Sequence, residues 1–418
     1  MKLNKTQCTI FVSLIIILIG QLSNIVGGNA VLIFSIIITG IYSLICPKDQ
    51  LLNLTLLLIA SNRVLTIGGI SAPTVVMMMG VFRLLLNNNL KLRKSMVVAI
   101  IILYAFSFIT YLNGYSQLLQ TTKILIVILF IRNYMGCFSI NDMYSNCLEM
   151  CTIGCIITCI LSILINPSTF YGNTRFSLTD GGGENVLGIL CSMNAINLII
   201  CILNSKKINK IKYYIYTIFL IIICFITGSR SAIAILGISV FLLIIITSFN
   251  LRIKTLVKLL ICLLLLIVFF LLLYVNNDVF STFIDSLIYR SQKLANVDIS
   301  NGRFELWIQY INIFKNNIRF VLFGGLNYYS YGIELVAHNM IIEQIAAYGI
   351  LGSIVLIYLY LDTFREMKLK FKGNSKMNYI QIIPLTVFIM ISMVSHSLLG
   401  VPQTMILYIC SLCILSRY

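Results

Sequence analysis

Three cationic side chains, set among aromatic and capping residues, hold most of the chemistry this sequence can offer. Arg230 lies in the turn Thr227-Gly228-Ser229-Arg230-Ser231, between two strongly apolar runs. An arginine at membrane depth is costly unless it meets an acid or an anionic ligand. Ser229 or Ser231 can cap the helix that follows, which aims backbone N–H groups at the same spot. Arg303 opens the stretch Phe304–Phe314, where Phe304, Trp307, Ile311 and Phe314 recur at helical steps on one face, with Ser300 or Asn301 placed to cap it. His338, one of two histidines in the chain, stands directly before an apolar run long enough to cross a bilayer. An imidazole there can accept a proton from a hydroxyl, or serve as a hydrogen-bonded residue at a helix start. Glu343, about a turn further on, can orient His338 or pair with Arg230.

Lesser candidates surround these. Arg175 sits in the loop 166–184 with Phe170, Tyr171 and Phe176 and a Gly181-Gly182-Gly183 run, the equipment of a loop facing a sugar or a phosphate or simply of a mobile tip. Arg63 and Lys123 stand near the outer ends of their spans, where each either extends to the headgroups or contacts a ligand. Arg83 extends to the opposite headgroups. Cys147, Cys151, Cys155 and Cys159 form one stripe of a helix, read as small packing residues rather than metal ligands. The sequence has no Gly-rich phosphate loop, zinc-ligand spacing, nucleophile elbow or Asp-x-Asp pair in its outer loops, so nucleotide hydrolysis, serine hydrolysis and a metal cofactor lack support.

The elements that must position these residues are membrane spans. Of 418 residues 59% are hydrophobic and 10% charged, with mean hydropathy +0.99, against roughly a quarter charged in an average soluble domain. Apolar runs of about 16–21 residues recur along the chain, each close to the thickness of a hydrocarbon core. They predict an all-α, polytopic transmembrane helical bundle of about 12–14 spans. Residues 1–418 read as a single integral membrane domain, with 276–338 as a long external loop containing amphipathic helices. The formal charge of +17 concentrates in loops on the side of the N-terminus, which marks that side as cytoplasmic and explains the basic balance without nucleic acid.

The turn at 227–231, followed by a long outer loop carrying Arg303, Trp307, Gly324-Gly325 and His338-Asn339 and then a span with Gly349 and Gly352, resembles the O-antigen ligase/polymerase superfamily. Within it, the chain looks most like a Wzy-type polymerase of O-antigen or capsular repeat units. The resemblance implies a metal-independent glycosyltransferase, needing no cofactor, at the outer face of the inner membrane. Its donor and acceptor would be undecaprenyl-pyrophosphate-linked oligosaccharides, with membrane lipids and a chain-length regulator protein as partners. His338, Arg230 and Arg303 would be catalytic. Arg175, Arg63, Lys123, Tyr328, Tyr329, Trp307, Asn339 and Glu343 would contact substrate, the aromatic rings by stacking on sugars or else by anchoring the loop at the interface. The rivals are a ligase that delivers the glycan to lipid A-core and, from another class, a lipid-linked oligosaccharide flippase. A flippase needs cations throughout a central cavity, whereas here they gather toward the outer half.

Overall fold

A computed structural model describes residues 4–90, 92–112, 117–134, 140–165, 184–204, 210–249, 302–370 and 383–392, with single positions between 257 and 285. The described chain is almost wholly helical, as expected where no water is present to satisfy backbone N–H and C=O groups. In chain order run α1 (Lys5–Val26), α2 (Asn29–Ile45), α3 (Lys48–Leu58), α4 (Ala72–Leu86), α5 (Lys94–Leu112), α6 (Leu118–Tyr134), α7 (Ile140–Ile165), α8 (Glu184–Asn204), α9 (Lys210–Ile226) and α10 (Arg230–Phe249). Further along the chain follow α11 (Arg303–Asn316), α12 (Ile318–Phe323), a 3-10 turn (Tyr328–Tyr331), α13 (Met340–Lys370) and α14 (Ile383–Ser392). Among the described residues five helices are long and apolar enough to cross a membrane, within α1, α5, α7, α8 and α13, and four shorter apolar ones accompany them. The chain is a multi-pass membrane protein.

Local chemistry sets several boundaries. α1 begins in a capping box, with Gln7 N donating to Asn4 Oδ1 at 2.8 Å and Asn4 N to Gln7 Oε1 at 2.9 Å. α3 departs from expectation: an apolar run predicting a span over 50–67 forms a helix that ends at Leu58. The chain then turns into a two-stranded hairpin, β1 (Thr66–Ile67) against β2 (Ile70–Ser71), with Thr66 opposite Ser71. α3 is nonetheless buried from Gln50 to Leu58, packed among α1, α4 and α7. Its polar residues are met there: Gln50 Oε1 accepts from Thr9 Oγ1 at 3.2 Å and Asn53 Nδ2 at 3.1 Å, and Asn53 Oδ1 accepts from Asn146 Nδ2 at 2.9 Å.

Several charged residues at helix ends are tied to protein rather than extended to headgroups. Arg83 donates to the Ser43 and Cys46 carbonyls at 3.0 and 2.7 Å, closing the C-terminus of α2, which replaces the expected reach to lipid. Asp362 of α13 takes Arg93 at 3.1 Å and Arg132 at 2.5 Å, while Glu366 pairs with Arg93 and lies 3.8 Å from Arg132. Arg132 and Asp362 are 5% and 6% exposed, so a buried, neutralised cluster joins the start of α5 and the end of α6 to the end of α13. The cysteine stripe of α7 is buried, with Cys155 against Cys191 of α8.

α13 is two helices meeting at Gly349, whose φ of 66° and ψ of 178° no helix contains. A break at membrane depth frees carbonyls, and here the loop after α12 satisfies them: Gly325 N donates to Ala347 O at 3.2 Å and Leu326 N to Ala346 O at 3.0 Å. A side chain at Gly349 would strike the Leu322 carbonyl. This contact binds α12 to the break and sets where the loop leading to His338 departs.

Candidate functional site

Arg230 and Arg303 are each the first residue of a helix, α10 and α11. Ser229 caps α10 with its hydroxyl oxygen, accepting from Ala232 N at 3.3 Å. The turn that precedes it is pressed onto α8 at Gly188, where an added Cβ would come within 2.6 Å of Thr227 Oγ1. Thr227 and Ser229 are fully buried while Arg230 is exposed, so the turn is rooted in the bundle and only its guanidinium projects. α11 starts after Gly302, with φ 73° and no side-chain cap, in place of the Ser300 or Asn301 cap expected.

The two arginines are within electrostatic reach of one another. Burial first, and the charge of Arg230 second, hold the Arg303 guanidinium below the usual arginine range. Each guanidinium also stands at a helix N-terminus, the positive end of its macrodipole. Two helix N-termini that each begin with a guanidinium, one of which feels the charge of the other, favour an anion.

His338 is joined to this pair through α11. Trp307, one turn after Arg303, donates from Nε1 to Ala337 O at 2.7 Å, and Tyr310 Oη donates to Leu335 O at 3.2 Å. These bonds pin the strap 335–337 to α11 and deliver His338 in the left-handed conformation, φ 51°. That conformation is uncommon for a residue with a side chain and concentrates at sites where the surroundings impose it. Asn339 follows and caps α13, its Oδ1 accepting from Ile341 N and Ile342 N at 3.0 and 3.1 Å. Glu343 lies one turn into α13, half-buried, its N donating to Asn339 O.

The apolar face of α11 differs from the one its spacing suggests. Tyr310 is buried, with Leu306, Trp307, Ile313 and Phe314 packed against its cluster, whereas Phe304, Ile308 and Ile311 are exposed. The cluster also holds Phe320, Leu326, Tyr328, Ile333, Ala337 and Ala346. The tyrosines divide accordingly. Tyr328 is 9% exposed, its ring 6.1 Å from Tyr310, while Tyr329 is 62% exposed and leans on Tyr328 at 4.4 Å. Tyr329 is thus the open ring and Tyr328 its support.

Other candidates lie apart. Lys123 of α6 sits under the β1–β2 hairpin, its Nζ 3.5 Å from where a Gly69 side chain would begin, and Arg63 is exposed in the turn before that hairpin. None of the described contacts brings either to the arginine pair. Arg175 and His396 lie outside the described residues. Sequence reasoning missed Gly188 and Tyr310. Only Gly188 had a local signal, a small residue in a span facing a tight turn.

Residues 215–357, the stretch holding Arg230, Arg303 and His338, match the family model of O-Antigen ligase. No curated protein and no solved structure matches the chain.

Proposed function

For a chain whose residues 215–357 match the family model of O-Antigen ligase, we propose a metal-independent glycosyl transfer between lipid-linked oligosaccharides. What supports it is that Arg303, half-buried at the start of α11, feels the charge of Arg230 at the start of α10. A lipid-anchored pyrophosphate is the anion that fits: it brings several negative oxygens to membrane depth, and guanidinium forks match phosphate geometry in bidentate fashion. Cations held there in advance stabilise the charge that grows on the leaving group.

In this reading the acceptor hydroxyl oxygen attacks the anomeric carbon of the donor glycan. The bond from that carbon to the pyrophosphate oxygen breaks, and the electron pair leaves with undecaprenyl pyrophosphate, held by Arg230 and Arg303. The hydroxyl proton passes to the His338 imidazole, and Glu343 orients that ring. Tyr329, with Trp307 and Tyr328 behind it, gives a sugar-stacking face beside the site. Arg175, Arg63 and Lys123 serve the outlying glycan or lipid phosphate. Asn339 acts through the cap that sets His338 at the head of α13. The acceptor is a second lipid-linked repeat unit, which makes the enzyme a polymerase of O-antigen or capsular polysaccharide, with the site facing the exterior of the inner membrane and the N-terminus cytoplasmic.

The test is the separate replacement of His338 and Arg230 by Ala, followed by examination of glycan ladders from cells. Loss of the ladder with normal protein levels and persisting single-repeat products supports the reading. An unchanged ladder in both variants refutes it. Transfer to lipid A-core by the purified protein, with no lengthening of lipid-linked chains, would make it a ligase.

A further inference from the structure

Two amide oxygens beside the site are used by none of these steps. Asn327 occupies the N-cap of the 3-10 turn Tyr328–Tyr331, where an Asn side chain ordinarily accepts a bond from the turn's own N–H groups, yet it makes no such cap. Its Oδ1 is buried and receives no hydrogen bond. Gln344 Oε1, in the second turn of α13, is in the same condition. The hydrogen bond from Leu326 N to Ala346 O, 3.0 Å, runs between the two segments. Asn327 directly follows its donor and Gln344 precedes its acceptor by two residues, so the two residues lie on the two segments this bond joins. Leu326 and Ala346 pack in the same cluster as Ala337, the residue before His338.

A buried acceptor left without a donor costs about 1–3 kcal/mol. Two of them, on segments clamped together at the break in α13, call for donors supplied from outside the chain. Both oxygens are neutral, and both can only accept. A phosphate has acceptors and no donor to offer them. A metal cation is a poor match for two uncharged amides, and no group of three His, Cys, Asp or Glu side chains suited to a metal occurs among the described residues. Sugar hydroxyls supply what is missing: adjacent O–H donors on a neutral ring.

We infer that Asn327 and Gln344 form a subsite for hydroxyl groups of the acceptor sugar, next to the imidazole that takes the proton of the attacking hydroxyl. This rests on the glycosyl-transfer reading above, and it separates the protein into two binding regions. The arginine pair holds the donor's pyrophosphate, and the α13 break with the Gly325–Asn327 segment holds the acceptor ring. Specificity for the acceptor sugar then resides in the segment between α12 and the 3-10 turn together with the second turn of α13.

The experiment uses the full chain in proteoliposomes, with lipid-linked repeat units from producing cells as donor and soluble repeat-unit oligosaccharide, at graded concentration, as acceptor. Gln344→Met and Asn327→Leu keep shape and remove the oxygens. Each is expected to raise acceptor KM about 3- to 10-fold, the worth of one neutral hydrogen bond, with donor KM unmoved. Gln344→Glu and Asn327→Asp, which keep an acceptor oxygen, are expected to return acceptor KM toward wild type. If the oxygens are met only by structural water, Gln344→Met leaves acceptor KM unchanged, and that result overturns the inference. Should Asn327→Leu fail to accumulate, Gln344→Met and Asn327→Asp decide the matter. Unchanged acceptor KM together with loss of transfer in Arg230→Ala sinks this inference alone, whereas full transfer in Arg230→Ala and His338→Ala sinks the reading beneath it.

Discussion

The indole Nε1 of Trp307 donates to the carbonyl oxygen of Ala337 at 2.7 Å, and Ala337 is fully buried. The helix begun by Arg303 thereby fixes the residue next to His338. Trp307→Phe keeps the ring within the cluster but leaves that carbonyl without its donor, at a cost of about 1–3 kcal/mol. Transfer is expected to fall about tenfold with protein level maintained, read as glycan ladder intensity against membrane abundance. Full activity in Trp307→Phe would show that the tie does not position the imidazole.

Arg303→Met removes the guanidinium that feels the charge of Arg230. The protein without donor is expected to melt near the wild-type temperature, since Arg303 is only half-buried. Turnover should drop about 10²-fold, as when one preorganised charge donor is deleted. Thermal denaturation in detergent, with and without lipid-linked donor, checks both halves: the donor should raise the melting temperature of wild type and not of the variant.

His338 combines a left-handed backbone with a proton-accepting ring, and the two can be separated. Asn tolerates φ near 51° better than most residues. His338→Asn should therefore fold like wild type yet lose about 10²–10⁴ in transfer, the usual worth of positioned proton transfer. Retained activity in His338→Asn would assign the residue to the backbone alone.

Gly349→Ala should be among the most damaging single-methyl changes in the chain. It forces a side chain into φ 66° and against the Leu322 carbonyl, a penalty of about 3 kcal/mol from strain and overpacking combined. The expected result is low membrane yield and a lowered melting temperature. Gly237→Ala, where an added Cβ meets nothing within 4 Å, is the neutral control.

The buried cluster around Asp362 predicts strong non-additivity. Arg132→Met or Asp362→Leu alone leaves a charge unmatched in the interior and should cost about 3–5 kcal/mol. The double variant should cost clearly less than the sum, since Arg93 and Glu366 remain to neutralise one another. Unfolding titrations of the four proteins measure the coupling, and strict additivity would contradict the geometry.

Much of the architecture was legible because bilayer thickness imposes itself on composition. The ends of α2, α5, α8 and α10 fall within about two residues of the apolar runs 29–46, 95–112, 183–203 and 230–249. α3 was misjudged because an apolar run does not announce that its helix stops at Leu58 inside the bundle. α11 misled for a different reason: it has apolar residues toward its own cluster and toward its exposed side, and a single period cannot say which set is which. Arg230, Arg303 and His338 stood out as charges and an imidazole among apolar neighbours. Arg132 and Asp362 meet across 230 positions, and Asn327 and Gln344 matter only through a fold that leaves their oxygens unmet. Neither relationship has a local signature.

The discontinuity at Gly349 makes the long segment Met340–Lys370 mechanically two levers rather than one. One residue inserted between 350 and 358 would swing the lower lever by about 100°, carrying Asp362 and Glu366 away from Arg93 and Arg132. The upper lever, held by Asn339, Gly325 and Leu326, would keep its bearing, so the same lesion would loosen the foot of the bundle while the imidazole at its head stayed in register.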